Sequence, residues 1–247
     1  MNKLIVETNE GIRTLTFNRP ETKNAFDAEL WGLFRDELNS ASDDSDIFSV
    51  VVTGSSNTFS SGVDLSSMMG DGGAEYEEPF ETCIDALVNF KKPLIAAVEG
   101  AAVGGGATIL LHFDAVFIAP NTKIKYPFSD LGLAPEVGST FLLFQSLGYQ
   151  QAAQLLFEAN PIDGTKYHEL GLAKYVGEDF LAEANQYAQS LKEQSLSSII
   201  ETKAILKSFM QEDIVKSRSM ETAAMKKLFG SEDNLKAVEK FFARKNS

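Results

Sequence analysis

A single cysteine, Cys83, is all the chain has, so no intramolecular disulfide can staple its fold and a cysteine-based metal site is excluded. No apolar run approaches the roughly 18–20 residues that a membrane span needs. Positive charge is scarce as well: 22 lysines and arginines stand against 35 acids, for a formal net charge of −13. Nucleic acid and anionic membrane surfaces both require a positive face, so neither is an expected partner. A small anionic ligand stays compatible if a few lysines gather locally. The two histidines, His112 and His168, have no partner at metal-ligand spacing, so no metal is expected and both read as structural or exposed. The opening "MNKLIVETNEG" alternates like a strand instead of forming a signal-peptide core, and the closing "ARKNS" carries no peroxisomal or ER-return tripeptide. The expectation is a cytoplasmic protein.

What the chain does have is order. "KLIVETNEGIRTLTF" reads as two strands around an Asn-Glu-Gly turn, stopped by Pro20. Helical spacing follows from about Asn24 to Ser42, with Phe26, Leu30, Leu33, Phe34 and Leu38 on one face. "FSVVVTG" and "PLIAAVEG" are short buried strands, and "AVFIAP" and "KIKYPF" return as strands. Beyond about Ser139 nearly everything has helical period. Alternating β and α followed by helices suggests an α/β core with parallel strands and a separate helical tail. "MMGDGGAEYEEP", Met68 to Pro79, is the most polar and Gly-rich interval and reads as a mobile loop.

Three stretches carry chemistry. In "TFSSGVDL", Thr58 to Leu65, a Ser-Ser-Gly turn can present a backbone N–H outward, as an oxyanion site requires. Alone it reads more readily as an ordinary tight loop with Asp64 capping a helix. In "VEGAAVGGGATILL", Val98 to Leu111, three glycines open a helix, where free N–H groups favour developing negative charge. The spacing is neither a Walker A loop nor a dinucleotide fingerprint. Close helix–strand packing at Gly104 to Gly106 is the alternative. In "FSDLGLAPEVGST", Phe128 to Thr140, Pro135 and Gly138 fix the chain on either side of Glu136. Burial there would raise the carboxyl pKa and make a better base near neutral pH, whereas a surface turn would not.

In this order and spacing the three resemble the crotonase family, the enoyl-CoA hydratases and isomerases. The resemblance covers nearly the whole chain, from "FNRPETKNAF" through "FSSGVDL", "KKPLIAAVEGAAVGGGA", "FSDLGLAPEVGST" and "LGLAKYVG" into the tail. It implies a spiral of ββα units over residues 1–192 carrying the acyl-CoA site, and a C-terminal helical region over 193–247 that builds trimers or dimers of trimers. The implied substrate is an acyl-CoA thioester, with coenzyme A entering as part of the substrate and no separate cofactor. Carried over residue by residue, the two oxyanion N–H groups fall on Ser61 and Gly105. The substrate-contacting positions fall on Lys23, Ala25, Phe59, Ser61, Gly62, Val63, Asp64, Leu65, Gly104, Gly105, Thr108, Phe128, Leu133 and Val137. The Met68 to Pro79 loop would bound the acyl tunnel. Coenzyme A phosphates would find cations among Lys23, Lys91 and Lys92, or Lys236, Lys240 and Arg244 for a neighbouring subunit.

The departures from the family pattern point to the reaction. Hydratases of the family hold water with two glutamates, and this chain has Thr108 and Phe128 in those places. Glu136 stands where hydratases usually have glycine, an arrangement similar to the 3,2-enoyl-CoA isomerases, the peroxisomal type above all. One carboxylate suffices to take a proton from C2 and return one at C4. The expectation is an isomerase of fatty acid metabolism with Glu136 as base. Thioester hydrolysis, weak hydration and non-catalytic binding of acyl-CoA or a protein partner stand as alternatives.

Overall fold

The structure, a computed structural model, describes residues 2–64 and 72–245. β1 (Leu4–Asn9) and β2 (Ile12–Phe17) pair antiparallel across a two-residue turn in which Glu10 and Gly11 both have positive φ. From β2 onward the main sheet is parallel, in the order β1-β2-β3-β4-β6-β8, with β3 (Ser49–Gly54), β4 (Leu94–Val98), β6 (Ala115–Ile118) and β8 (Tyr175–Val176). β3 and β4 are buried almost throughout, because helices cover both faces of the sheet. On one face Leu15, Phe17, Val50, Val52, Leu94 and Ala96 meet the helices α1 (Ala28–Asp43) and α2 (Gly72–Asn89). On the other, Val51, Ile95, Ala97 and Phe117 meet Phe180, Ala184 and Ala188 of α7 (Phe180–Leu191). Each large side chain sealed in this way stabilises the fold by about 1.5–3 kcal/mol.

A second, shorter layer runs beside the first. β5 (Ala101–Val103) pairs parallel with β7 (Lys123–Lys125), and single bridges join Phe26 to Val63, Ser60 to Ala102 and Ile124 to Ile162. Each turn of chain thus gives a strand to the main sheet and a short piece to the second. This is the expected ββα spiral, and it stacks the 19–26, 59–64 and 101–106 segments against one another.

Several expectations are corrected in detail. α1 starts at Ala28, not near Asn24, because Asn24 has positive φ and the Asp27 side chain accepts the Leu30 N–H. On this helix Trp31 is sealed in the core, whereas Leu33 is exposed. The Gly72 to Pro79 part of the expected loop is the first half of α2. Packing against α1 through buried Tyr76, Cys83, Ile84 and Leu87 outweighs the helix-breaking tendency of Pro79. Met68 to Asp71 lie outside the described residues. "KIKYPF" is a strand only to Lys125, and Phe128 precedes a 3-10 turn over Ser129–Leu131.

The tail comprises α8 (Leu196–Ser208), α9 (Gln211–Leu228) and α10 (Glu232–Lys245). It folds back on its own core. Lys203 reaches from α8 to the Lys92 carbonyl at 2.7 Å and to Asp114 at 2.6 Å. α9 lies on α4 (Ser139–Leu147), and Asn234 of α10 donates to the Leu131 carbonyl at 2.7 Å. Among the described residues no helix is long and apolar enough to cross a membrane.

Candidate active site

The Gly-rich stretch makes a single helical turn. Gly104, at φ +53°, caps α3 (Gly105–Thr108), and a 3-10 turn continues it over Ile109–His112. Ala107 and Thr108 both donate to the Gly104 carbonyl, which leaves the Gly105 N–H ahead of the first bonded turn. Two of the three glycines open the site by different means. A β-carbon on Gly106 would stand 2.7 Å from the Ser60 carbonyl oxygen, so close packing excludes it. A β-carbon on Gly105 would instead face Glu136 Oε1 at 3.3 Å, Val63 Cγ2 at 3.6 Å and Trp31 Cζ2 at 3.7 Å. The second and third motifs therefore converge on one spot.

The first motif arrives there with a change of residue. The Ser61 N–H donates to the Lys23 carbonyl at 2.9 Å, and its hydroxyl donates to the Thr22 carbonyl. Ser61 is thus not available as an oxyanion donor, contrary to the sequence expectation. Phe26 donates to Gly62 and accepts from Asp64, so the Val63 N–H between them points to the opposite side. Among the described residues neither the Val63 nor the Gly105 N–H has a protein acceptor. Gly62, at φ +89°, brings the two segments together: a β-carbon there would strike Val103 O at 2.4 Å and approach Gly105 N to 3.3 Å. Asp64 holds the loop, its carboxylate meeting the Arg19 guanidinium at 3.1 Å while Arg19 also donates to the Ala25 carbonyl.

Glu136 sits deep among neighbouring atoms yet keeps an edge open to solvent. Its carboxyl pKa is pushed up to about 7, first by burial and then by the Glu221 and Glu81 carboxylates. Among the described residues no side chain pairs with its oxygens. It precedes Val137, at φ +67°, and Gly138, at φ +74°. Positive φ is costly for a β-branched residue, so this turn must be held from outside. His112 Nε2 lies 2.8 Å from the Val137 carbonyl. Glu221 of α9 accepts the Gly138 N–H at 2.7 Å and the Thr140 N–H at 2.8 Å.

The other expected positions divide. Thr108 is fully buried and donates to the Gly105 carbonyl at 3.3 Å, and Phe128 is a buried core ring. Phe59 does not line the site, because its ring packs edge-on against Phe17 in the core. Ala25 is buried beside Arg19, Leu133 is half-buried beyond the 3-10 turn, and Leu65 lies outside the described residues. Lys23 and Lys91 are exposed, but Lys92 is buried with its ammonium on the Ala41 and Asp44 carbonyls, so it cannot meet a phosphate. Lys236 is engaged by Glu232.

Sequence reasoning missed Trp31, Tyr76, His112 as a support, and Glu221. Trp31 stacks on Phe26 with centroids 3.9 Å apart, and its Nε1 donates to the Tyr76 hydroxyl at 2.5 Å. Burial, and next the Glu136 charge, hold that hydroxyl well above its usual pKa. The only tryptophan of the chain, set between Leu30 and Phe34, was a legible signal for Trp31. Glu221 had none.

The family model described as Enoyl-CoA hydratase/isomerase matches residues 7–247. The chain is 29% identical to the peroxisomal enoyl-CoA delta isomerase 3 of Mus musculus, over 98% of this chain and 78% of that protein. It is 32% identical to the 1,2-epoxyphenylacetyl-CoA isomerase of Escherichia coli (strain K12), over 78% of each. Hydratase names stand among its relatives as well. The solved structure of Pseudomonas aeruginosa OdaA superposes with a TM-score of 0.92 at 31% identity, over 98% of this chain and 99% of that one. These likenesses define the crotonase fold. The chain belongs to the enoyl-CoA hydratase/isomerase family.

Proposed function

We propose that this protein shifts the double bond of 3-enoyl-CoA thioesters to the 2-position, with Glu136 as its one acid–base group. Glu136 takes a proton from C2, and the freed electron pair moves into the C1–C2 bond to give a dienolate whose charge rests on the thioester oxygen. The Val63 and Gly105 N–H groups meet that charge, and each such donor contributes about 10²–10³ in rate. The protonated Glu136 then returns its proton at C4 as the double bond settles between C2 and C3. No redox partner enters, so no cofactor beyond the thioester's own coenzyme A is required.

The observation that carries this reading is a carboxylate with no side-chain partner among the described residues, its pKa raised by burial, against the open face of Gly105. A second reading, hydration of 2-enoyl-CoA, draws on the relatives with hydratase names. It needs a held water and two acids, and Thr108 and Phe128 supply none. Parallel assays of 3-hexenoyl-CoA isomerisation and crotonyl-CoA hydration test the choice. Isomerisation faster by orders of magnitude is the expected result, and hydration at a comparable rate overturns it.

The proposal extends to assembly and place. Residues 193–247 form the region that assembles subunits into a trimer or a dimer of trimers, and residues 1–192 carry the acyl-CoA site. Exposed Ile205, Leu206, Phe209, Phe229 and Leu235 on the tail, with Tyr149 and Phe157 on α5 (Tyr149–Glu158), support this as surface that a partner copy would cover. The lone cysteine suits the reducing cytoplasm.

A further inference from the structure

Glu221 is a buried carboxylate that no part of the sequence pattern singled out. From α9 it accepts the Gly138 N–H at 2.7 Å, the Thr140 N–H at 2.8 Å and the Thr140 hydroxyl at 2.6 Å, with the Ser217 hydroxyl at 3.3 Å. Gly138 and Thr140 are the start of α4, whereas Ser217 lies one turn from Glu221 on α9, so a negative group from a distant helix caps the positive end of α4. On the other side of the same turn is His112. Burial lowers its pKa to about 4, so the ring is neutral, and a carbonyl acceptor at 2.8 Å requires the proton on Nε2. Val137, a β-branched residue at φ +67°, is therefore held at its carbonyl by His112 and at the following N–H by Glu221.

We propose that Glu221 is a positioning residue of the reaction: it fixes the Val137–Gly138 turn and thereby aims the Glu136 carboxylate at the Gly105 face. This rests on the reading of Glu136 as the base. The same carboxylate acts on Glu136 through its charge. Burial is the larger cause of the raised Glu136 pKa, and repulsion from Glu221 comes next, ahead of Glu81. Among the described residues, the other ionisable groups about Glu136 are engaged or neutral. Glu81 of α2 is paired with Arg218 of α9 at 2.7 Å, and Arg218 also meets Asp85. Tyr76 of α2 stays protonated, and His112 is uncharged. Glu221→Gln should therefore let Glu136 ionise at lower pH.

The experiment compares full-length Glu221→Gln, Glu221→Asp and Glu136→Gln with wild type, reading kcat, KM and the acidic limb of kcat against pH on 3-hexenoyl-CoA. Glu221→Gln should lower kcat about tenfold to a hundredfold with KM changed less than about twofold, and move the acidic limb to lower pH. Glu221→Asp keeps the charge but cannot span both N–H groups, so kcat should fall while the limb stays in place. A folded Glu221→Gln with wild-type kcat and an unmoved limb overturns the proposal, as does a rise in KM alone. If Glu221→Gln fails to fold, Thr140→Val removes the 2.6 Å hydroxyl contact to Glu221, together with the 2.8 Å contact to the Ser217 hydroxyl, and leaves both backbone N–H bonds to Glu221 in place. A lower kcat at constant KM then supports the proposal, and an unchanged kcat overturns it. The Glu136→Gln arm separates the two failures: activity retained there sinks the base reading and the positioning together, whereas activity lost there with silent Glu221 variants sinks only the positioning.

Discussion

Glu136 Oε1 lies 3.3 Å from the point where a β-carbon on Gly105 would stand. The absence of a side chain at Gly105 is therefore what leaves space beside the Glu136 carboxylate, which in the proposed reaction holds the reacting carbon. Gly105 does not have the left-handed φ of Gly104, so an alanine fits its backbone. Gly105→Ala should fold normally yet lower kcat/KM by about a hundredfold, because its methyl group displaces the substrate from attack geometry. Circular dichroism and steady-state kinetics on one preparation check both halves.

The oxyanion pair is tested by separating the Ser61 side chain from the Val63 backbone. Val63→Pro removes one N–H and should cost about 10²–10³ in kcat. Ser61→Ala removes only the hydroxyl on the Thr22 carbonyl, so turnover should stay within about threefold while stability falls by about 0.5–1.5 kcal/mol. A severe kinetic loss in Ser61→Ala with a silent Val63→Pro would return the role to the Ser61 side.

Glu136 also makes a stability prediction. With its folded pKa raised to about 7 from an ordinary 4.5, the native state binds more protons than the unfolded chain between those values. Stability from this group is therefore complete below about pH 4.5 and lost as pH rises through 7. Glu136→Gln should match wild type in Tm near pH 4.5 and exceed it at pH 8, by the equivalent of about 1–3 kcal/mol. Thermal melts at the two pH values read the difference directly.

The exposed apolar residues of the tail predict an oligomer. Sedimentation at micromolar concentration should show a trimer or a hexamer, and Phe209→Glu, at a position 78% exposed in the single chain, should weaken it. A wild-type chain that sediments as a stable monomer contradicts the assembly proposed for residues 193–247.

Local signals were legible where one segment decides the structure. The Asn9-Glu10-Gly11 turn, the buried strands and the glycines of α3 follow from chain-local chemistry. Residues 72–79 were not legible in this way, since their glycines and Pro79 speak for a loop, whereas in the fold they open α2, which packs on α1. The Ser-Ser-Gly turn showed that an N–H would face outward but not which one. The bond from Ser61 N–H to Lys23 O removes Ser61, and the pairing of Phe26 with Gly62 and Asp64 selects Val63. Glu221 meets Gly138 across 83 residues of sequence, a separation at which no periodicity or motif can report a contact.

The most direct test of the account is C2 proton exchange into deuterated water, followed alongside turnover of 3-hexenoyl-CoA, for wild type and Glu136→Gln. Glu136→Gln preserves size but cannot accept the C2 proton, and losing a general base costs about 10²–10⁴ in rate. In the proposed reaction one group serves both transfers, so exchange and turnover should fall together, by the upper end of that range. Binding of a saturated acyl-CoA should be unchanged, because both N–H donors remain. A variant that keeps more than about a tenth of wild-type exchange, far above what a lost base allows, would contradict the assignment of Glu136 as the base.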